Sequence, residues 1–559
     1  MKKVERRKFL QGALAGSAGL IAGRVGCFAQ SARAADARVE VLVDEVIGTI
    51  NPDIYGHFVE HLGGVVYDGI WVGENSRVPN TGGIRTAIVE AMKRIKAPVI
   101  RYPGGCFADS YDWRDGIGDR SKRPRRTNFW VDEPDSKAPP NSPARFEPNW
   151  FGTNEFMRFC QLTGARPYMA ANLRGLGAQD FYEWVEYCNS PAGSTTLAEM
   201  RASGPMGSRE PYRVEFWGVG NESWGCGGNF TPEEYAQEFR RYLAAVPGYG
   251  VPLKFLAAGP NSGDLNWTRG FFAKMREKGD SMFDRLYGWC LHHYSWNVAG
   301  GRTNDWREAK GPAVKFDLEQ YYELLRDADK MEGLIEQHWT VMGEYDPRHR
   351  TKLVVDEWGS WHRAGTELAP SHILGQQQTL RDALVASISL DTFHRHADKV
   401  VMANVAQLVN CLHSLFLADG DRFILTPNYH VFEMFMPHMG AQAVRTVFSA
   451  PQVQYQRNGK PANFWGLGGS ASLNGKQLTV AVTNPHASEA REAEIAVRGA
   501  RVISAQARVL TAPDIHAHNT FENPRAVEPS DAPASVGANG TLVFRFAPAS
   551  VTRVQMALG

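Results

Sequence analysis

Two apolar runs, Val214-Glu215-Phe216-Trp217-Gly218-Val219-Gly220-Asn221-Glu222 and Leu353-Val354-Val355-Asp356-Glu357-Trp358-Gly359, each carry a carboxylate to a Gly-containing turn. Short apolar runs bounded by turns read as buried strands. A strand that closes on an acid and then turns is how an α/β barrel brings reactive side chains to the rim at the C-terminal ends of its strands. A lone acid in such a place is ordinarily a solvated loop residue. Two of them, one preceded by Asn221 and the other flanked by Trp358, point to paired carboxylates facing one cleft.

The surrounding pattern repeats the unit. Ile54–Glu60, Val99–Tyr102, Pro167–Asn172, Glu215–Asn221, Phe255–Gly259, Gly288–Tyr294, Leu353–Glu357 and Val400–Gln407 are strand candidates separated by amphipathic helices. Eight strands alternating with helices are the count of a (β/α)8 barrel. Ile84, Ile88, Ala91 and Ile95 mark one helix face; Phe181, Trp184, Val185 and Cys188 mark another. Thr231-Pro232-Glu233-Glu234 is a capping box, so a helix starts soon after Glu222. Residues 127–149 and 300–316 are expected as long barrel loops. Past about residue 430 the helical pattern stops and short alternating strands follow, among them Leu478–Val482, Glu492–Val497, Arg501–Leu510, Leu542–Phe546 and Val551–Met556. The expected architecture is an α/β chain: a (β/α)8 (TIM) barrel over 51–430 and a jelly-roll-like β-sandwich over 431–559. The sandwich is completed by the N-terminal strand in 35–50.

A formal net charge of +1 over 559 residues offers no field to gather nucleic acid, and none is expected as a partner. Arg6-Arg7 before the small-residue stretch Ala13–Ala22 and the Ser31-Ala32-Arg33-Ala34 cleavage pattern resemble a twin-arginine export signal over 1–34. That stretch is too short and Gly/Ala-rich for stable membrane insertion, so the expected location is periplasmic or secreted. Seven cysteines form no C-x-x-C pair, which argues against a structural zinc module. His57-Phe58-Val59-Glu60-His61 has the H-x-x-E-H spacing of an inverted zinc-protease motif, but that chemistry needs a helix and glycines bracket the segment here. No metal and no cofactor is expected.

The ends of the proposed strands supply Glu60, Arg101 with Gly104-Gly105-Cys106, Asn172, Asn221-Glu222, Asn261, His293-Tyr294, Glu357 and Gln407. Amides, an aromatic hydroxyl and carboxylates suit a neutral polyhydroxylated ligand, whose hydroxyls each donate and accept. With these residues in place the chain resembles the α-L-arabinofuranosidases of glycoside hydrolase family 51. The motifs carrying the resemblance are Tyr55-Gly56-His57-Phe58-Val59-Glu60-His61-Leu62-Gly63, Arg101-Tyr102-Pro103-Gly104-Gly105, Gly220-Asn221-Glu222, His293-Tyr294, Asp356-Glu357-Trp358-Gly359 and Ala406-Gln407-Leu408-Val409-Asn410, in the family's order.

The resemblance implies Glu222 as general acid/base and Glu357 as nucleophile of a retaining exo-hydrolase acting on arabinofuranosyl-containing oligo- or polysaccharides. Glu60, Asn221, Tyr294 and Gln407 would hold the sugar and the nucleophile, with Arg101, Cys106, Asn172, Trp224 and His293 as further substrate-binding positions. It also implies a homo-oligomer, on the pattern of a hexamer. Cys106 stands where the family has Asn, and a thiol does not replace an amide. Cys106 and Cys226 are expected as two separate reduced thiols; the alternative is a bridge clamping the acid/base loop, which needs Cα atoms within about 7 Å. Rival activities for the same two glutamates are a β-xylosidase or an endo-β-glucanase, and a non-catalytic glycan-binding barrel is the rival of another class.

Overall fold

All eight runs expected as barrel strands pair in parallel, and the last closes back on the first. The computed structural model describes residues 35–559 apart from 134–136, 140, 143–144 and 538–539, so the expected export leader lies outside the described residues. The N-terminal strand β1 (Ala37–Thr49) precedes the barrel strands β2 (Gly56–Phe58), β3 (Val99–Tyr102), β4 (Arg166–Ala171), β5 (Phe216–Val219), β6 (Lys254–Ala258), β7 (Leu286–Ser295), β8 (Lys352–Ser360) and β9 (Val400–Val405). The first barrel strand is shorter than expected because Pro52–Tyr55 coils into a 3-10 turn, capped by the Asn51 side chain accepting from the Asp53 N–H.

Helices α1 (Thr86–Arg94), α2 (Thr153–Thr163), α3 (Ala178–Asn189), α4 (Pro232–Leu243), α5 (Leu265–Arg276), α6 (Leu318–Tyr345) and α7 (Leu380–Arg395) are the main helices between the strands. The capping box forms as read: Thr231 Oγ1 accepts from the Glu234 N–H and the Glu234 carboxylate accepts from the Thr231 N–H. Among the described residues no helix is long and apolar enough to cross a membrane.

The C-terminal strands β10 (Gln442–Ser449), β11 (Gly468–Asn474), β12 (Gln477–Asn484), β13 (Arg491–Arg498), β14 (Val502–Leu510), β15 (Ser530–Ala532), β16 (Leu542–Phe546) and β17 (Ser550–Leu558) join β1 in one nine-stranded sheet of order β15-β14-β17-β12-β11-β10-β1-β13-β16. β1 sits inside it, antiparallel to β10 and parallel to β13. Alternate residues such as Val39 and Val41, Val480 and Val482, Ile495, Phe544 and Met556 meet in one apolar core, so the sheet wraps around its own interior.

Strands β10 and β11 are not expected from the sequence. β11 reads Gly-Gly-Ser-Ala-Ser-Leu-Asn, without the β-branched and aromatic residues that signal a strand. Its small residues are buried because the other structural layer is a helix: every residue from Leu380 to His394 of α7 is buried. Ser470 Oγ donates to Asp391 at 2.6 Å and lies 2.9 Å from His394 Nδ1, which brings α7 close to the sheet.

Candidate active site

The barrel interior is built in layers. Val99, Tyr168, Phe216, Leu256, Cys290, Val354 and Met402, from seven successive strands, fill the lower one. Side chains alternate along a strand, so the next inward positions lie two residues on: Phe58 on β2, Arg101, Ala170, Gly218, Ala258, His292, Asp356 and Asn404. Four of these eight are polar, and all of them except His292 are buried outright. The small residues opposite leave room; a Cβ on Gly218 would stand 2.8 Å from the Tyr168 hydroxyl.

Asp356 and Glu357 are neighbours, and in a regular strand one would point away. A bulge resolves this: pairing between β7 and β8 slips between Leu291 and His292, so that Val355 faces Leu291 and Glu357 faces His292. Two consecutive residues then oppose one, and both acids turn inward. Buried Arg101 spans them, with Nε 3.2 Å from Asp356 Oδ2 and Nη1 donating to Glu357 Oε1 at 2.7 Å. Its Nη2 donates to Asn221 Oδ1 at 2.6 Å, and its guanidinium lies 4.5 Å over the Phe58 ring. Asp356 accepts from Tyr168 and Asn404 at 2.9 and 2.8 Å, which leaves it as the support for Arg101.

Glu357 Oε2 accepts from the Tyr294 hydroxyl at 2.7 Å. Burial pushes its carboxyl up, but His292, Arg101 and the Tyr294 donor outweigh burial and hold it below the ordinary range. His292 Nδ1 lies 3.1 Å from Glu222 Oε1 and 3.6 Å from Glu357 Oε2. Burial works against its charge, yet the two carboxylates raise its pKa. One carboxylate oxygen of Glu222, one of Glu357 and a His292 nitrogen lie within 4.8 Å of one another. The Glu222 side chain keeps 22% exposure, against 8% for Glu357.

Glu60 forms the third wall. Its Oε1 accepts from the N–H groups of Gly105 and Phe107 at 3.1 and 3.0 Å, and Oε2 accepts from Gln407 Nε2 at 2.9 Å. Burial, then repulsion from Glu357, pushes this carboxyl up to about 7. Gly105 has to be glycine here: a Cβ would stand 2.7 Å from Glu357 Oε1 and 3.3 Å from Asn221 Nδ2.

Cys106 and Cys226 are joined in a disulfide with Cα atoms 5.6 Å apart, which corrects the expectation of two separate thiols. The loops after β3 and β5 are also linked by the hydrogen bond from the Asn221 N–H to Asp109. The two sulfurs lie 3.7 and 3.6 Å from Glu222 Oε2. Cys160, Cys188, Cys290 and Cys411 are free and buried.

The structure therefore gathers Glu60, Arg101, Cys106, Asn221, Glu222, Tyr294, Glu357 and Gln407. It does not gather the other three. His293 alternates outward, its Nε2 2.7 Å from the Asp327 carbonyl oxygen, and His292 takes the inward place. Asn172 spends its amide on the loop, donating to the Tyr111 carbonyl at 3.1 Å and accepting from the Gly175 N–H at 2.6 Å. Trp224 is half-buried against the core. Trp358 is buried between Phe393, Phe432 and His413. The H-x-x-E-H residues diverge on a strand and its turn: His57 packs on Phe432, while His61 bonds Glu147 and Tyr102.

Sequence reasoning missed His292, Asp356, Tyr168 and Asn404, all reachable by counting inward positions from the apolar layer. It also missed an aromatic run leading out of the site, Tyr294 to Trp361 at 5.3 Å and Trp361 to Trp306 at 5.2 Å, with Trp306 39% exposed.

Comparison with known proteins bears on this geometry. Residues 91–310 match the model described as α-L-arabinofuranosidase 1 domain, and 356–550 match the α-L-arabinofuranosidase C-terminal domain. The intracellular exo-α-L-arabinofuranosidase of Bacteroides ovatus is 34% identical over 521 residues, covering 93% of this chain and 95% of the relative. The crystal structure of the GH51 arabinofuranosidase of Xanthomonas axonopodis pv. citri is similar with a TM-score of 0.84 at 35% identity, over 93% of this chain and 100% of that one. The chain belongs to the α-L-arabinofuranosidases of glycoside hydrolase family 51.

As a family 51 member it is a glycoside hydrolase, and the β-xylosidase, endo-β-glucanase and glycan-binding readings are not favoured. One expectation is overturned. The B. ovatus relative and a second from Acetivibrio thermocellus, 31% identical over 67% of this chain and 70% of its own length, are both named intracellular, which counters the export signal and the periplasmic or secreted location read from the N-terminus.

Proposed function

We propose that this family 51 enzyme removes terminal α-L-arabinofuranosyl residues from arabinoxylan- and arabinan-type saccharides by double displacement with net retention. Glu357 attacks the anomeric carbon and forms a glycosyl-enzyme; Glu222 protonates the departing oxygen and then deprotonates the water that releases the sugar. The observation that carries this reading is that an oxygen of each carboxyl lies within 4.8 Å of one of the other, on the side of the roughly 5 to 5.5 Å separation of retaining enzymes and short of the roughly 6.5 to 9.5 Å of inverting ones.

Their environments divide the roles. Glu357 is held ionised by Arg101, His292 and Tyr294, as a nucleophile has to be. Glu222 keeps more exposure than Glu357, as suits a group that meets a departing leaving group and then an incoming water. Asn221, Glu60 and Gln407 present amide and carboxylate edges to the furanose hydroxyls. Trp361 and Trp306, with the Lys310 ammonium 4.4 and 3.8 Å over their rings, would meet the saccharide beyond the scissile bond. The family resemblance carries a homo-oligomer as well, which sedimentation would test: a monomer at all concentrations would remove it.

Glu357→Ala should abolish turnover of every substrate. Glu222→Ala should keep cleaving dinitrophenyl arabinofuranoside, whose leaving group needs no proton, and azide should accelerate it to give the retained glycosyl azide. An inverted azide product from Glu222→Ala would exchange the two roles.

A further inference from the structure

The backbone that carries Glu222 is not in a relaxed conformation. Glu222 has φ +41° and follows Gly220 at φ +79°. A side-chain-bearing residue in the left-handed region is strained and persists only where neighbours over-determine it. The neighbour that does so is Asp109, a fully buried carboxylate on the loop after β3.

Asp109 Oδ1 accepts from the N–H groups of Leu173 and Arg174 at 2.7 and 3.1 Å, just past the end of β4. Its Oδ2 accepts from the Asn221 N–H at 3.1 Å, one residue before Glu222. One side chain thus ties the ends of three adjacent barrel strands. The far side of the turn is bound to the same loop. Arg174 reaches from the Ser110 hydroxyl to the Cys226 carbonyl at 2.7 Å, and Cys226 is bridged to Cys106. Gly227 folds over the assembly, where a Cβ would stand 1.7 Å from the Asn221 oxygen and 2.9 Å from Asp109 Oδ2. Asp109 is itself fully buried and meets the site through the Asn221 N–H.

We propose that Asp109 is a positioning residue for the proton transfer: by fixing the Asn221 N–H it holds the left-handed turn that aims the Glu222 carboxyl at the leaving oxygen. This rests on Glu222 being the acid/base. Loss of the anchor disturbs the nucleophile less, because Glu357 stands on β8, bonds Arg101 and Tyr294 directly, and is linked to the anchored turn only at one remove, through the Arg101–Asn221 hydrogen bond and His292. The defect therefore weighs most on reactions that need the proton.

The test is kcat/KM, which reports the first displacement, across aryl α-L-arabinofuranosides from dinitrophenyl to phenyl, for wild type, Glu222→Ala and Asp109→Asn. The Asn is isosteric and replaces one acceptor by an N–H facing an N–H. Asp109→Asn should lose no more than about 3-fold on the dinitrophenyl substrate and about 30-fold or more on phenyl, a partial copy of Glu222→Ala. Equal losses on both substrates, or none, would overturn the proposal while leaving Glu222 as acid if its own series is steep. A flat series for Glu222→Ala would instead remove the acid/base assignment. If Asp109→Asn does not fold, Asp109→Glu, which keeps the charge and shifts it by a methylene, should show the same split; failure of both to fold would make Asp109 a stability residue and overturn its positioning role.

Discussion

Two clusters of buried carboxylates lie close together in this barrel and are built in opposite ways. Asp382, at the start of α7, is wholly enclosed. Its Oδ1 accepts from Ser360 and His362 at 2.6 and 2.7 Å, and its Oδ2 from the Thr379 N–H and hydroxyl at 2.7 and 3.0 Å. Burial raises its carboxyl, but His362, Arg381 and His413 hold it far below the ordinary range. Glu222 has a ring nitrogen, two sulfurs and an open side. Both regions contain histidine, arginine and acid, so residue type does not separate them. What separates them is spare hydrogen-bonding capacity aimed at a cavity, present at Glu222 and absent at Asp382.

The contrast can be broken most directly by exchanging charge for amide in each region. Glu357→Gln should lower kcat by about 10⁴-fold or more, with unfolding free energy within about 1 kcal/mol of wild type. Asp382→Asn should do the reverse. It leaves Arg381 without its buried counter-charge and should cost about 3 kcal/mol in denaturant unfolding, with kcat per folded molecule within about 3-fold. A fully stable Asp382→Asn enzyme that has lost turnover would erase the distinction.

Asp391 sharpens it from a third position. Its donors, Ser470 and Ser387, are neutral, and burial pushes its carboxyl up to about 7. The folded chain therefore keeps this proton between about pH 4 and 7 while the unfolded chain releases it, so the group's contribution to stability is present at low pH and is lost as pH rises through 7. Glu60 and Asp109, also pushed up to about 7, add slope of the same sign. Asp391→Asn should remove its share, on the order of 4 kcal/mol across that window, in urea unfolding at the two ends. An unchanged slope would show that Asp391 does not retain the proton.

The smallest expected effect belongs to Tyr294→Phe, which removes one donor from Glu357. It should lower kcat by about 10- to 100-fold and move the acidic limb of kcat/KM to higher pH, since the hydroxyl helps hold the Glu357 carboxyl down. A limb that does not move would assign that pKa to another group.

Much of this organisation is legible in the sequence, and the parts that are not have identifiable causes. All eight barrel strands are readable because each is an apolar run bounded by turns. The inward-facing set is readable too, once a layer is fixed; counting by two from Cys290 gives His292 and Tyr294 and rejects His293. The count reaches Asp356 from Val354 but would turn Glu357 outward, because the bulge depends on pairing between strands and leaves no local signal. The disulfide and the Asp109 anchor are equally nonlocal: Cys106 and Cys226 are 120 residues apart in sequence. β11 is hidden for the converse reason, since small residues that fit a helix closely resemble a loop.

The central claim, two carboxyls close enough for covalent double displacement, meets its most direct test in the anomeric configuration of the first-formed product. Proton NMR should be recorded within seconds of adding enzyme to an aryl α-L-arabinofuranoside, before mutarotation. The geometry predicts α-L-arabinofuranose first, with the β anomer growing in only by mutarotation; β anomer as the initial product would mean that water attacks directly and would contradict the account.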